Sequence, residues 1–425
     1  MRAPPSERTI VFLVAAVQFI NILDFMIVMP LGPDFAAALG IPTSHIGFIG
    51  GSYTAAASVS GLAGAFFLDR YDRRSALAVA MLGLVIATAA GGLATGLTTL
   101  MAARVLAGLF GGPATSLSFS IIADVIPADR RGKAMGTVMG AFALASVLGV
   151  PVGLELARRG GWQTPFFAVA ALGFVVAGLS IFLLPSMRGH LEGERGGGGL
   201  AVAWSELGAL LRRGIVLLSL TMTAIVMMAG FVVVPNISAY VQFNLGYPRD
   251  RLGVLYLAGG GVSFVAVRVV GGLVDRVGAF RTGAAGTAML LVILYVAFYD
   301  YVPGLPVMGI FIGFMVAMTF RNVAHNTLTS KVPRPYERAR FTSIQSAVQH
   351  LAAAVAAFLS AQILTELPDH RLHGMKTVTA ISMGLTVVLP PLLWMVESRV
   401  VAAPSLAPVL LPTPAPQGPS GEGQG

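Results

Sequence analysis

The chain has 425 residues, 56% of them hydrophobic and 11% charged, with a mean hydropathy of +0.80 and a formal net charge of +9. Soluble domains carry about 25% charged residues, so this composition excludes a soluble globular fold. The absence of cysteine excludes disulfides and thiolate metal sites. The six histidines, His45, His190, His325, His350, His370 and His373, have no metal-ligand spacing.

Residues 1–8 form a short basic N-terminus. The apolar run from Ile10 to Pro30 follows Arg2 and Arg8 but contains Asn21 and Asp24 and is too long for the core of a signal peptide. It reads as a first membrane span. Apolar stretches of about 20 residues, enough to cross a hydrocarbon core, then recur. Twelve are expected, centred near 20, 57, 85, 110, 145, 174, 225, 262, 291, 315, 353 and 386. None alternates as barrel strands do. The first six fill 9–185 and the second six 214–396. Between them, 186–213 is a central loop: Met187 to Gly199 reads as a flexible linker, and Trp204 to Arg213 as a short amphipathic segment. The tail, 397–425, is rich in Pro, Gly and Ser and is expected to be disordered.

The two halves echo each other. Leu68-Asp69-Arg70-Tyr71-Asp72-Arg73-Arg74 ends the second span, and Gly271-Gly272-Leu273-Val274-Asp275-Arg276-Val277-Gly278 ends the eighth. Asp69 and Asp275 are 206 residues apart, as are Pro127 and Pro333 after the fourth and tenth spans. Parallel six-helix repeats point to a transporter that binds its substrate between the halves.

Of the 28 Lys and Arg, 19 fall on the side that bears both termini, 6 on the opposite side and 3 within spans. This bias predicts cytoplasmic termini in a cytoplasmic membrane. It accounts for the positive charge without nucleic acid. The third, sixth, ninth and twelfth spans lack Asp, Glu, Lys, Arg, His, Asn and Gln in their centres, whereas the first, fourth and tenth carry Gln18, Asn21, Asp24, Arg104, Arg321 and Asn322. Polar groups are costly against lipid, so the polar spans are expected to face a wet interior.

Gln18, Asn21 and Asp24 recur at i, i+3, i+6 along one side of the first span. At 1.5 Å per residue, Asp24 and Arg104 both lie about 10 Å below the same boundary, so depth allows an ion pair. Asp24 reads in three ways: a proton carrier, an attractor of a cationic substrate group, or a permanent structural ion pair. Glu155 with Arg158 and Arg159 reads as a local salt bridge. His325 reads either as a titrating group or as a solvated or capped histidine at the interface, and Arg268 as an anchor that snorkels. Gly136–Gly140 and Gly149-Val150-Pro151-Val152-Gly153 on the fifth span mark close packing, a hinge or a seal between the halves.

These residues resemble the major facilitator superfamily, within it the twelve-span drug/proton antiporters and the sugar-efflux permeases, over about 9–396. The loop signature Gly-x-x-x-Asp-Arg-x-Gly-Arg-Arg is matched by Asp69, Arg70, Arg73 and Arg74, with Ala65 and Asp72 in place of its two glycines. The second copy matches at Gly271, Asp275, Arg276 and Gly278. Arg104 with Val105-Leu106-Ala107-Gly108-Leu109-Phe110-Gly111-Gly112 is similar to the fourth-helix motif tied there to proton transfer. Gly149, Pro151 and Gly153, followed by Gly161-Trp162, resemble the fifth-helix antiporter motif.

The resemblance implies an all-α membrane protein of two pseudo-symmetric six-helix bundles, with the loop motif as a cytoplasmic gate. It implies export of a small molecule, such as a drug-like compound or a sugar, by alternating access. The expected partners are that substrate, protons and the bilayer, with the chain a monomer. The proton gradient is the expected driving force, with no cofactor, metal or enzymatic activity. Spans 1, 4, 7 and 10 are expected to line the cavity, the seventh through Met227, Met228, Phe231 and Asn236, with Arg321 from the tenth. The alternatives are an uptake symporter or facilitator of the same fold, or a non-transporting membrane sensor or scaffold.

Overall fold

The computed structural model describes residues 6–187, 200–334 and 337–402. Most of the expected linker and of the expected disordered tail lies outside these residues.

Twelve long helices run α1 (Glu7–Val28), α2 (Ile46–Phe67), α3 (Arg73–Gly92), α4 (Leu97–Val125), α5 (Ala128–Leu144, carried through a π turn at Ala145–Gly149 into Val150–Gly160) and α6 (Thr164–Leu183). The second half continues with α7 (Gly214–Phe231), α8 (Leu252–Val277), α9 (Ala279–Leu294), α10 (Val307–Thr329), α11 (Arg338–Ile363) and α12 (Met375–Ala402). Eleven are long and apolar enough to cross a membrane. The remaining one, α2, has 22 residues. The amphipathic segment is a helix from Leu200 to Leu211, and α12 continues past the expected boundary at 396.

Local chemistry sets the ends. Ser6 caps α1 by accepting from Thr9 N at 3.2 Å. Gly278, at φ +94°, makes the turn between α8 and α9, in a backbone region that side chains disfavour. Pro151 lacks the N–H that an α-helix needs inside its ladder, and α5 meets this with the π turn just before it. Likewise Pro235 interrupts the seventh span: α7 stops at Phe231, and a 3₁₀ turn follows at Val234–Asn236.

The packing repeats with a period of six helices. α2 packs on α4, α3 on α4 and α6, and α1 on α5 and α6; α8 packs on α10, α9 on α10 and α12, and α7 on α11 and α12. The halves meet through α2 against α11 and α5 against α8. The apolar spans present exposed hydrophobics outward, as with Ile86 on α3, Phe174 and Phe182 on α6, Val292 on α9 and Trp394 on α12. That is the placement lipid favours.

Asp72, a departure from the resembled signature, has its own task. It caps α3 by accepting from Arg74 N at 3.3 Å and also accepts from Met187 N at 2.7 Å and Ser186 Oγ at 3.0 Å. It thus ties the start of α3 to the end of α6. The second half builds the same joint with the carboxylate on the other partner: Glu397 of α12 accepts from Ala279 N at 2.7 Å and Phe280 N at 3.3 Å on α9. Burial pushes the Asp72 carboxyl up, but the hydrogen bonds from Met187, Ser186 and Arg74 and the charge of Arg74 outweigh it, leaving it below the ordinary carboxylate range.

A lowered folded-state value stabilises this joint fully above the unfolded value of about 3.9 and loses its effect as pH falls through the lowered value. Asp72→Asn is therefore expected to accelerate hydrogen exchange of the segment ending at Met187 at neutral pH. Wild type should show the same acceleration only below about pH 4. Equal protection of variant and wild type at pH 7 would rule out the clamp.

Candidate functional site

Asp24 on α1 is fully buried and Arg104 on α4 is 1% exposed. Arg104 Nη1 donates to Asp24 Oδ2 at 2.9 Å. The other carboxylate oxygen, Oδ1, lies 2.7 Å from Thr88 Oγ1 on α3, which is itself 2.8 Å from Leu84 O. The Arg104 guanidinium sits over the Phe166 ring of α6, 5.4 Å from its centroid, and its Nε and Nη2 have no hydrogen-bond partner among the described residues. Four helices of one half thus converge on a single ion pair.

Asn21, one turn earlier on α1, organises the interior toward the other half. Its Nδ2 donates to Gly111 O at 3.0 Å and Thr115 Oγ1 at 2.7 Å on α4, and its Oδ1 accepts from Tyr53 Oη of α2 at 2.9 Å. Tyr53 contacts Phe25 at 5.2 Å between ring centroids, and Phe25 stacks on Phe231 of α7 at 6.1 Å. This aromatic contact bridges the halves. Gln18 is buried, with its Oε1 unpartnered.

In the second half, Arg321 is buried on α10 with Nε and Nη1 unpartnered among the described residues, and Asn236 donates to Ser360 Oγ at 3.1 Å. Met228 packs with the larger core and Met227 with the smaller one of the second half. His325 is buried rather than solvated: its Nε2 lies 2.9 Å from Thr223 Oγ1 of α7, and its Nδ1 3.1 Å from Asn326 Oδ1. Arg268 lies over the Phe264 ring at 4.4 Å. Glu155 takes Arg158 at 2.7 Å and Arg159 at 2.5 Å, the local cluster its spacing predicts.

Of the α5 glycines named from the sequence, Gly149 and Gly153 serve helix packing within one half, whereas a Cβ on Gly136 or Gly140 would meet nothing within 4 Å, so these two mark no seam. A Cβ on Gly149 would lie 2.6 Å from Leu23 of α1, and one on Gly153 would lie 2.2 Å from Ile27. The approach to the other half comes instead from Gly260 of α8, where a Cβ would meet Ser146 O at 3.1 Å. In the loop motif, Leu68–Arg70 forms a 3₁₀ turn; the Asp69 side chain lies outside what is described. Arg73 Nε contacts Asp124 Oδ2 of α4 at 3.2 Å, and Arg74 donates to Leu184 O at 3.4 Å. Of the second copy, Asp275 and Arg276 are exposed, and Gly271 and Gly278 are partly buried.

On the face opposite the termini the halves are pinned by two polar links that the sequence did not announce. Arg249, before α8, forks onto Asp34, in the short helix after α1, with Nε–Oδ1 at 2.6 Å and Nη2–Oδ2 at 2.5 Å. Glu366 accepts from the Thr43 backbone N–H, and from Thr43 Oγ1 at 3.0 Å; it stands in a two-residue strand, β1 (Thr365–Glu366), paired antiparallel with β2 (Leu372–His373). These are residues of unremarkable type in the short elements between the long helices, and only their meeting across the halves marks them. Asp34→Asn is expected to raise the alkylation rate of an Ala361→Cys reporter about fivefold, the population shift from losing about 1 kcal/mol. The absence of other cysteines makes the assay clean. An unchanged rate would show that the fork does not hold this face shut.

Two six-helix halves related by repetition, meeting through paired helices around buried charged groups, define a membrane transporter by architecture. Residues 14–357 match the Major Facilitator Superfamily, and the chain belongs to that family. It is similar to the chloramphenicol resistance protein of Streptomyces lividans, 29% identical over 279 residues covering 66% of this chain and 70% of that one. It is also similar to an uncharacterized MFS-type transporter of Mycobacterium tuberculosis, 24% identical over 404 residues covering 82% and 70% respectively. Among solved structures, a D-xylose-proton symporter superposes with a TM-score of 0.74 at 18% identity, covering 92% of this chain and 99% of that chain. A bacterial homologue of the human lysosomal transporter Spinster, inward-facing, superposes with a TM-score of 0.70 at 15% identity, covering 93% and 98%. At such identities the superpositions speak for the fold. The chain is a multi-pass secondary transporter rather than an enzyme.

Proposed function

We propose that the chain exports a small molecule in exchange for protons by alternating access, with Asp24 as the group that carries the proton. The observation that carries this reading is the placement of Thr88 Oγ1 between Asp24 Oδ1 and Leu84 O. A hydroxyl has one hydrogen to donate and lone pairs to accept with. When Asp24 is ionised, Thr88 donates to it. When Asp24 is protonated, its O–H donates to Thr88, which turns its own hydrogen to Leu84 O. Both states are then hydrogen-bonded, which a permanent structural pair does not require.

Protonation also removes the charge that holds Arg104 at 2.9 Å. The guanidinium, already with two unmatched nitrogens, is then released to new partners as the halves rock. Export is favoured by the likeness to a chloramphenicol resistance protein and by the α5 motif of Gly149, Pro151 and Gly153. The excess of basic residues on the face that bears the termini supports a cytoplasmic placement of both ends. On that face the loops around Asp69 and Asp275 serve as the gate.

The test is pH-gradient dissipation in everted membrane vesicles, over a panel of lipophilic acids, lipophilic cations, sugars and antibiotics. A compound that triggers proton release only when the chain is present supports antiport. Compound-driven proton movement in the opposite sense would replace export with symport. Compound flux with no proton movement would replace it with facilitated diffusion.

A further inference from the structure

We propose that Arg321 docks a carboxylate on the transported molecule, so that the substrate is an acid with an apolar body. The proposal rests on the transport reading above and adds the substrate class to it.

Three observations carry it. First, Arg321 is 1% exposed, and its Nε and Nη1 have no hydrogen-bond partner among the described residues. Leaving a buried cation without a counter-ion is costly, and no acid of the second half compensates it. Glu337, Glu366 and Glu397 are engaged by Arg213, Thr43 and the start of α9, and Asp300 and Asp369 by surface Lys376 and Arg371. Asp250 and Asp275 stand exposed at the two ends of α8. Asp24, the acid buried in the spans, is taken by Arg104 in the other half. Among the described residues, apart from Asp72 and Arg73 at the start of α3, the buried charged side chains are two guanidinium groups, Arg104 and Arg321, and one carboxylate, Asp24.

Second, the repeat says where the missing carboxylate belongs. The offset of 206 residues that relates the two loop motifs carries Asp24 onto Gly230 and Phe25 onto Phe231. The structure respects this correspondence, because Phe25 and Phe231 stack on each other between the halves. A Cβ on Gly230 would lie 3.2 Å from Arg321 Nη2. The second half therefore points its cation at the position where the first half carries an acid, and has no side chain there.

Third, the surroundings suit an apolar body. Met318 Cε is also 3.2 Å from that Cβ position, and Phe231 is next in the chain. Methionine and phenylalanine accept varied apolar shapes. The seventh span breaks immediately afterwards, at Val232–Asn236, and interrupted spans are where transporters of this architecture bind their cargo. A guanidinium prefers the planar, forked acceptor that a carboxylate offers.

The experiment measures binding by calorimetry to the purified full chain in lipid nanodiscs. The probes are naphthalene-1-acetate, its uncharged amide and 1-naphthylethylammonium, with decanoate and benzoate as further acids. The expected result is that the acid binds at least about tenfold more tightly than the amide, as a charge-assisted bond implies, and that the ammonium is the weakest. The preference should fall to about one in Arg321→Gln, survive in part in Arg321→Lys, and vanish in Gly230→Asp, which supplies an internal counter-ion. Gly230→Asp keeps the test valid should Arg321→Gln not fold.

Equal binding of acid and amide to wild type would overturn the proposal. So would an acid preference that persists in Gly230→Asp, or no binding of any acid up to about 1 mM. Failure of transport is read separately. Acid binding without proton-linked flux in vesicles would sink the antiport reading and leave the carboxylate site standing. Proton-linked flux of cations or sugars without acid preference would do the reverse.

Discussion

Asp24→Asn is expected to lower substrate-driven proton movement in proteoliposomes by at least about a hundredfold, the lower range for losing a positioned proton-transfer group. Substrate binding should weaken far less. Asparagine keeps the shape, its Oδ1 can accept from Arg104 and its Nδ2 can donate to Thr88, but it cannot take up or release a proton. The distances that make the wild-type pair, 2.9 Å to Arg104 and 2.7 Å to Thr88, are ones the amide can satisfy. Loss of coupling with retained binding therefore separates a proton carrier from a residue that merely holds α1 against α4. The measurement is initial rate from a pH-sensitive dye trapped in the vesicles, with binding followed in parallel. Coupling above a tenth of the wild-type rate would reassign the proton to another group.

The second large effect is on stability. Arg104→Gln leaves the Asp24 carboxyl without its cation, with no exposure to water and only Thr88 to serve it. Removing one partner of a buried pair costs about 3–5 kcal/mol. Asp24→Asn with Arg104→Gln removes both charges and is expected to be less destabilised than the two single losses summed, with a coupling energy of about 1–3 kcal/mol. The cycle is measured by reversible unfolding in lipid bicelles. Strict additivity would mean that the short Nη1–Oδ2 distance carries no net energy and that the interior stays wet enough to screen it.

Much of this molecule was legible in its sequence, for reasons that are local or statistical. A span needs about 20 apolar residues whatever its neighbours are, so twelve elements could be counted from composition. The signature loops at Asp69 and Asp275 mark the repeat because a duplicated chain keeps its turns in register. Asp24 and Arg104 stood out because a charge in an apolar span is expensive wherever it points.

What the sequence left dark depends on azimuth and on meetings between distant segments. Thr88 is an ordinary residue on a span whose centre lacks charged and amide side chains, yet one side of α3 turns inward to reach Asp24. Phe166 is one more phenylalanine until Arg104 lies over it. Gly149 and Gly153 have the spacing of a seam, but spacing does not say which helix occupies the seam; it is α1 of the same half. Asp72 looked like a defect in a turn and is a joint between α3 and α6.

The sequence by itself determined the solvent of this protein, the number and repetition of its spans, and which side carries the positive charge, because hydropathy and charge act residue by residue. Only the tertiary structure decided the rest. It showed that Asp24 is shared by Arg104 and Thr88, that Asp34 and Arg249 fork across the halves 215 residues apart, and that Arg321 faces a glycine. Direction around a helix axis and contact across a long loop are properties of packing, which no short stretch of chain encodes alone.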